Sequence, residues 1–521
     1  MLSNSRSRAG RPTKDLNEFQ EEISALFRDG HTYDDIAKHL LTQYNFPVNG
    51  RTIQRRLKQW DVSKRVRPLK EEERNLQSQV KKMFFEGLMT DREMLYVLRK
   101  QGFQIGIGGL RTIRRRLNLY RRVSNEQFEE YKDNFKLMVQ QELDKGTIEG
   151  YGRKYLYTYF RSQQHIISRD RLFQIVKEKD PIGVTRRLND FHRTRGDFSV
   201  PGPNYLWSID GHDKLSYWGF QIYAGIDAYS RYVTWIYVGN SNRTSFSVLR
   251  QYLDTLKSEK KQPRLIRSDK GGETPMLAAA HYALYQRHNT NATLSDCYWY
   301  GTSMSNQRIE AWWSQLTKGC THKWRDYFLR LNQDGLFRKD QLADRISITA
   351  VYMPLLRGAI CNFVRLWNVH EIRKQKERPD GVYGKPYFLY FHPEDGGVED
   401  YGLTADENLV NELLNDMDYW DIDEYLPEET LHWCQQKLNE LGFTNLTISD
   451  AFPNGIRHHC TAYIALRECV KAHISSRAAP LLAESQPPTQ QSLSRLNMDD
   501  IVDNHIEEAT LAYEAEEIFV S

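Results

Sequence analysis

The 521-residue chain is 40% hydrophobic and 27% charged, with a formal net charge of only +4. That value hides a cancellation: residues 1–200 carry +14, residues 201–395 carry +8, and residues 396–521 carry −18. A basic body suits a polyanion such as nucleic acid; the lack of an 18-residue apolar run argues against a membrane span, and six scattered cysteines, none before Cys297, argue against a disulfide scaffold or an N-terminal Cys-ligated zinc finger. No apolar segment near Met1 reads as a secretory signal. The length alone predicts about three or four domains.

In chain order, Phe19–Phe27 predicts a helix broken at Gly30, and Thr32 can cap a second helix over Tyr33–Leu41. Val80–Phe85 repeats the pattern, with Gly87 as breaker and Thr90-Asp-Arg-Glu93 as a capping box. Each series ends in a related heptapeptide: RTIQRRL begins at Arg51 and RTIRRRL at Arg111. Helix, glycine turn, capped helix and third helix form a helix-turn-helix pattern, giving modules at 15–66 and 72–122. In the first, Ile53 and Leu57 are four apart and can face a core, leaving Arg51, Gln54, Arg55 and Lys58 for a groove and its phosphates. In the second, Arg111, Arg114 and Arg115 occupy equivalent places. A helical bundle with a solvated arginine face is the competing reading; the duplicated turns and caps favour double-stranded DNA. DVSKRVRPLKEEE reads as a linker, and SRAGRPTK weakly resembles a minor-groove AT-hook.

Residues 123–200 predict a helical connector. Asn125–Leu143 is amphipathic, and Ser168 can cap a helix that stops before Pro181. Arg153, Lys154, Arg161, Arg169 and Arg171 keep the segment basic, so it reads equally as a spacer or as a third helix-turn-helix unit.

The composition changes at Pro201-Gly-Pro203. Leu206–Asp210, Phe220–Ile226 and Tyr232–Val238 read as strands, with DAYSR as a hairpin turn. Ser245–Ser258 predicts a helix, Arg264–Asp269 a strand, and Met276–His288 and Asn306–Lys318 two further helices. This order predicts an α/β layer of the ribonuclease H type over 201–330. Asp210 and Asp269 each close a strand, and Glu310 lies in the last helix. Carboxylates at buried strand ends are costly unless compensated, and three could hold two Mg²⁺ (or Mn²⁺) ions for phosphoryl transfer. Asp213, Asp227 and Glu273 compete as ligands but read better as loop carboxylates or turn caps. His212 reads either as a substrate contact or as a residue at the cleft edge. Asn306 and Lys318 share the Glu310 face of their helix and are candidate contacts to a DNA end; Trp312 and Trp313 read as packing.

WSIDGHDKL, IYAGIDAYSRYVTW, IRSDKGGE and YGTSMSNQRIEAWWSQL resemble the catalytic core of retroviral-type integrases and DDE transposases. The likeness is nearest to integrase-core proteins of eukaryotic cut-and-paste elements, and extends more loosely through the connector and HEIRKQKERPDGVYGKP. It implies that Asp210, Asp269 and Glu310 are the catalytic metal triad, with 58 and 40 residues between them. The second gap exceeds that of retroviral integrases, and helix-turn-helix modules replace their zinc domain.

Residues 331–395 predict a helical extension with a basic loop, 396–475 an acidic helical region, and 476–521 a mostly disordered acidic tail. The acidic region is expected to stand apart, either as a solubilising or partner-binding tail or as a competitor with DNA for the basic face. The sequence thus predicts a multidomain protein: all-α N-terminal repeats, an α/β ribonuclease H-like core and a mainly helical acidic C-terminal region. The expected function is that of a nuclear DNA recombinase binding element ends and target DNA, cleaving and joining strands as a homo-oligomer. The alternative is a host-retained, sequence-specific DNA-binding protein with an inactive core.

Overall fold

The computed structural model describes residues 15–28, 31–60, 62, 71–121, 123, 125–148, 151–181, 200–269, 271–301, 306–374, 382–444, 446, 458–486, 493 and 496. The AT-hook-like segment, all but Val62 of the first linker up to residue 70, and most of the C-terminal tail lie outside the described residues. The chain divides into two compact units, one of Met1–Phe84 with Met94–Asn118, the other of Phe85–Glu93 with Leu119–Ser521.

The first unit is helical. Helices α1 (Gln20–Arg28), α2 (Tyr33–Tyr44) and α3 (Gly50–Gln59) surround Ile23, Phe27, Ile36, Leu40, Ile53 and Leu57. Thr32 and Asp35 form a reciprocal capping box at the start of α2, each backbone N–H donating to the other side chain at 3.1 Å. Asn49 starts α3, its side chain accepting from the Thr52 N–H at 2.9 Å. Helices α4 (Glu71–Phe85), α5 (Asp91–Lys100) and α6 (Ile107–Arg116) follow. The sequence repeat is not a strict structural repeat. Helix α3 begins one residue before Arg51, whereas α6 begins four before Arg111, from a Gly106 cap with no side-chain acceptor. Leu110 is therefore the buried anchor of α6, and Ile113 and Leu117 are only partly covered.

The second unit is built on a mixed sheet. Its strands are β1 (Leu206–His212), β2 (Gln221–Asp227), β3 (Val233–Gly239), β5 (Leu265–Asp269) and β6 (Tyr298–Gly301), in the order β3-β2-β1-β5-β6. A separate pair joins β4 (Lys261–Gln262) to β7 (Leu403–Thr404). Strands β1, β2 and β3 are antiparallel, while β5 runs parallel to β1 and to β6. This arrangement is consistent with a ribonuclease H-like fold. A register shift at Gly225/Ile226 lets the Trp235 ring lie over Gly225, where a Cβ would fall 2.1 Å from the ring.

Side chains alternate between the sheet faces. Trp207, Ile209, Tyr223 and Ile266 pack with α10 (Ser245–Glu259) and α11 (Pro275–Gln286). Ile222, Ala224 and Ile226 pack on the other side with α12 (Gln307–Leu316), α13 (His322–Gln333) and α14 (Leu342–Val369). The connector joins this second core: α7 (Asn125–Asp144), α8 (Arg153–Ser162) and α9 (Arg169–Lys179) supply Phe135, Tyr155, Phe160 and Leu172. The Tyr155 hydroxyl donates to the Phe363 carbonyl at 2.5 Å. Helix α14 is long and apolar enough to cross a membrane, but 61% of its most apolar window is buried in this core.

After α15 (Pro386–Phe391), the acidic segment is woven into both cores. Helix α16 (Glu407–Asn415) contributes Val410 and Leu413 to the α10 side. Helices α17 (Glu428–Glu440) and α18 (His458–Ser476) contribute Cys434, Leu438, Tyr463 and Leu466 to the α14 side. Several elements differ from the sequence expectation, among them the short pair β4 and β7. Strand β6 went unpredicted, and the helix expected over Asn306–Lys318 ends at Leu316, passing through a π-turn at Thr317–Thr321 into α13.

Candidate functional site

Parallel pairing of β1 with β5 sets Ser208 opposite Arg267. Continued two residues beyond the paired positions, that register puts Asp210 and Asp269 on the same face of the sheet. Glu310 approaches from the first turn of α12. That helix is tied to β1 at two points: the Asn306 side-chain amide donates to the Ile209 carbonyl at 3.0 Å, and the Trp313 indole N–H donates to Asp210 Oδ2 at 2.9 Å. All three acids are half-buried.

Their electrostatics follow from that placement. Burial, reinforced by the charges of Asp269 and Glu310, pushes the Asp210 carboxyl up to about 7, against the opposing pull of the Trp313 and Gly211 N–H groups. A rise of that size corresponds to roughly 4 kcal/mol against ionisation. Burial also raises Asp269, and burial followed by the Asp269 charge raises Glu310. Asp269 Oδ1 is buried with no hydrogen-bond partner among the described residues. A cation would relieve all three groups, and an all-oxygen set suits a hard divalent ion. Among the described residues no three His, Cys, Asp or Glu side chains close around a single point. The trio is coupled by charge across a cleft without forming a single-ion cage.

Two of the neighbouring acids, Asp213 and Asp227, are otherwise engaged. Asp213 pairs with Arg243 at 3.0 Å. Asp227 is fully buried and caps the hairpin, accepting from the Ser230 and Asn204 backbone N–H groups at 2.7 Å. Glu273 lies close enough to be raised by burial and by the Asp269 and Asp213 charges. His212 stacks on Trp313 with ring centroids 4.8 Å apart, and its Nε2 lies 3.4 Å from the Thr317 and Thr321 hydroxyls. Burial and the Lys214 charge lower it to about 4, so it is neutral at physiological pH.

The other candidate residues are distributed less uniformly. Arg51, Gln54, Arg55 and Lys58 are exposed along α3, as are Arg111 and Arg115 on α6. Arg114 instead lies partly covered with its guanidinium over the Phe84 ring at 5.8 Å. Lys318 is exposed on the π-turn, while Asn306 is buried and spends its amide on β1. Trp313, read from the sequence as packing, also binds an acid of the trio; no local pattern marks that, because the contact spans 103 residues.

Residues 197–388 match the family model described as Integrase core domain. Residues 12–64 match the one described as Clr5 domain. No curated protein matches the chain.

Proposed function

From the match of residues 197–388 to the Integrase core domain model, we propose that the chain is a nuclear DNA recombinase, cleaving and joining DNA strands. The observation that carries the reading is the convergence of Asp210 on β1, Asp269 on β5 and Glu310 on α12, close enough that the charges of Asp269 and Glu310 both act on Asp210. These three residues would hold Mg²⁺ or Mn²⁺, a pair of ions in this reading. When bound, the ions supply Lewis-acid activation of the attacking oxygen and stabilisation of the leaving one. The chain's own contribution is positioning. The sheet register aligns Asp210 with Asp269, the Asn306 amide fixes the start of α12, and the Trp313 N–H orients one Asp210 oxygen. Neutral His212 adds no second positive charge to the cleft.

Recognition of element ends is assigned to the N-terminal helices, where α3 presents Arg51, Gln54, Arg55 and Lys58 to solvent. The match to the Clr5 domain covers this module. Joining two ends requires two active sites acting together, which favours a homo-oligomer.

The test is a strand-transfer assay with duplex oligonucleotide ends and Mg²⁺, comparing the native chain with Asp269→Asn. Cleavage and joining by the native chain alone support the proposal. If neither protein reacts while both bind DNA specifically, the chain is a DNA-binding protein on an inactive core.

A further inference from the structure

A cavity of about 650 Å³ opens among α8, the start of α9, the turn at residues 86–90 and the chain beyond α14. None of Asp210, Asp269 or Glu310 lines it. Its described lining carries six cationic side chains, Arg121, Lys154, Arg161, Arg169, Arg171 and Lys385, against the carboxylates Asp170 and Glu371. Like charges repel across such a space, so this excess needs either structural pairing or an anion.

Contacts among the described residues hold several of these cations in place, and Asp91 and Glu93 add two carboxylates just outside the lining. Arg121 donates to the Met89 carbonyl at 2.5 Å and to Asp91 at 3.0 Å, and Lys154 meets Glu371 at 2.9 Å. Lys385 is held by Glu93 at 2.6 Å and by the Leu88 carbonyl at 2.7 Å. The Arg171 guanidinium lies 4.5 Å from the Phe128 ring centre. Arg161 is only 4% exposed, an unusual place for a guanidinium, and contacts the Tyr120 carbonyl at 3.4 Å. These contacts hold five of the six cations in place and pre-organise the site.

The same wall offers neutral donors. Ser168 caps α9, an 11-residue helix, so the N–H groups of its first turn and its positive dipole end border the cavity. Tyr157 and Thr158 add hydroxyls. Fixed guanidinium forks, ammonium groups, hydroxyls and a helix N-terminus together match tetrahedral oxyanions.

We propose that this cavity binds phosphate groups of a polyanion, as a site separate from the carboxylate trio. The phosphates belong either to a DNA strand or to a small free polyphosphate, and only the first source rests on the recombinase reading.

The test uses the full chain in EDTA buffer, titrated calorimetrically with sodium tripolyphosphate. Saturable binding is expected, with a raised melting temperature. Lys154→Ala combined with Arg169→Ala should weaken it about tenfold or more, and Asp269→Asn should leave it unchanged. Because Lys154 also pairs with Glu371, Arg169→Glu alone, at an exposed position, serves as the variant that keeps the fold. Displacement of tripolyphosphate by duplex DNA would identify backbone phosphate as the ligand; retention in excess DNA would identify a free polyphosphate. No binding by the native chain up to about 1 mM, or equal binding by the Arg169→Glu and double variants, overturns the proposal. A native chain that binds tripolyphosphate yet fails strand transfer would remove the recombinase reading and leave this site standing.

Discussion

Trp313 donates its indole N–H to Asp210 Oδ2 at 2.9 Å and stacks on His212 with ring centroids 4.8 Å apart. A single side chain of α12 therefore positions an acid on β1 and covers its neighbour. Trp313→Phe keeps most of the stacking surface and removes the donor. A hydrogen bond to a charged group contributes about 1.5–3 kcal/mol, so Mg²⁺ affinity should fall about tenfold or more with a much smaller change in melting temperature. Titration calorimetry with Mg²⁺ measures this; an unchanged affinity would make the contact incidental to the site.

The raised Asp210 carboxyl sets a pH dependence with a definite sign. A proton and a cation compete for the same oxygens, and the proton is bound below about pH 7. Mg²⁺ affinity should therefore climb with pH, by up to about tenfold per unit below 7 for one displaced proton, and flatten above it. Asp210→Asn should abolish the break near 7. A profile whose only break lies at ordinary carboxylate values would mean that Asp210 is not coupled to Asp269 and Glu310 as described.

The sequence was legible wherever chemistry is local. Thr32 and Ser168 cap helices because a hydroxyl reaches N–H groups a few residues away, and both sites form as expected. The short apolar runs of β1 and β2 likewise predicted strands. Strand β6 was hidden because YWYG is only four residues long and lacks alternating polar positions. The π-turn after α12 was equally hidden, since Gly319 fits there through its close approach to Phe363, 44 residues away. Within the trio, Asp269 ends its strand as expected, whereas β1 runs two residues past Asp210 to His212, and the Trp313 bond needs tertiary packing.

The two repeat copies should respond differently to substitution. Arg55 is exposed on α3, so Arg55→Ala should weaken DNA binding and lower the salt-dependence slope by about one. Arg114 covers Phe84, and Arg114→Ala should cost stability through lost packing, about 0.5–1 kcal/mol, with less effect on the salt slope. Fluorescence anisotropy across a salt series, paired with thermal melts, separates the two. Equal slopes for both variants would place both arginines, or neither, against phosphate.

The acidic C-terminal segment is held by a buried ion pair. Arg467 reaches Asp344 on α14 through two contacts, 2.5 and 3.0 Å, with the carboxylate fully buried and the guanidinium nearly so. Breaking such a pair strands a charge inside the protein, so Arg467→Met should destabilise by about 3–5 kcal/mol in denaturant unfolding. Pairing it with Asp344→Leu should restore much of that loss, because neither charge then remains to be desolvated. The same geometry bears on the segment's role. Deleting residues 396–521 removes Val410, Leu413, Cys434, Leu438 and Tyr463 from the two cores along with Arg467. The truncated chain should lose cooperative unfolding and aggregate, and a soluble truncation with raised DNA affinity would instead show that the acidic segment acts as a detachable competitor.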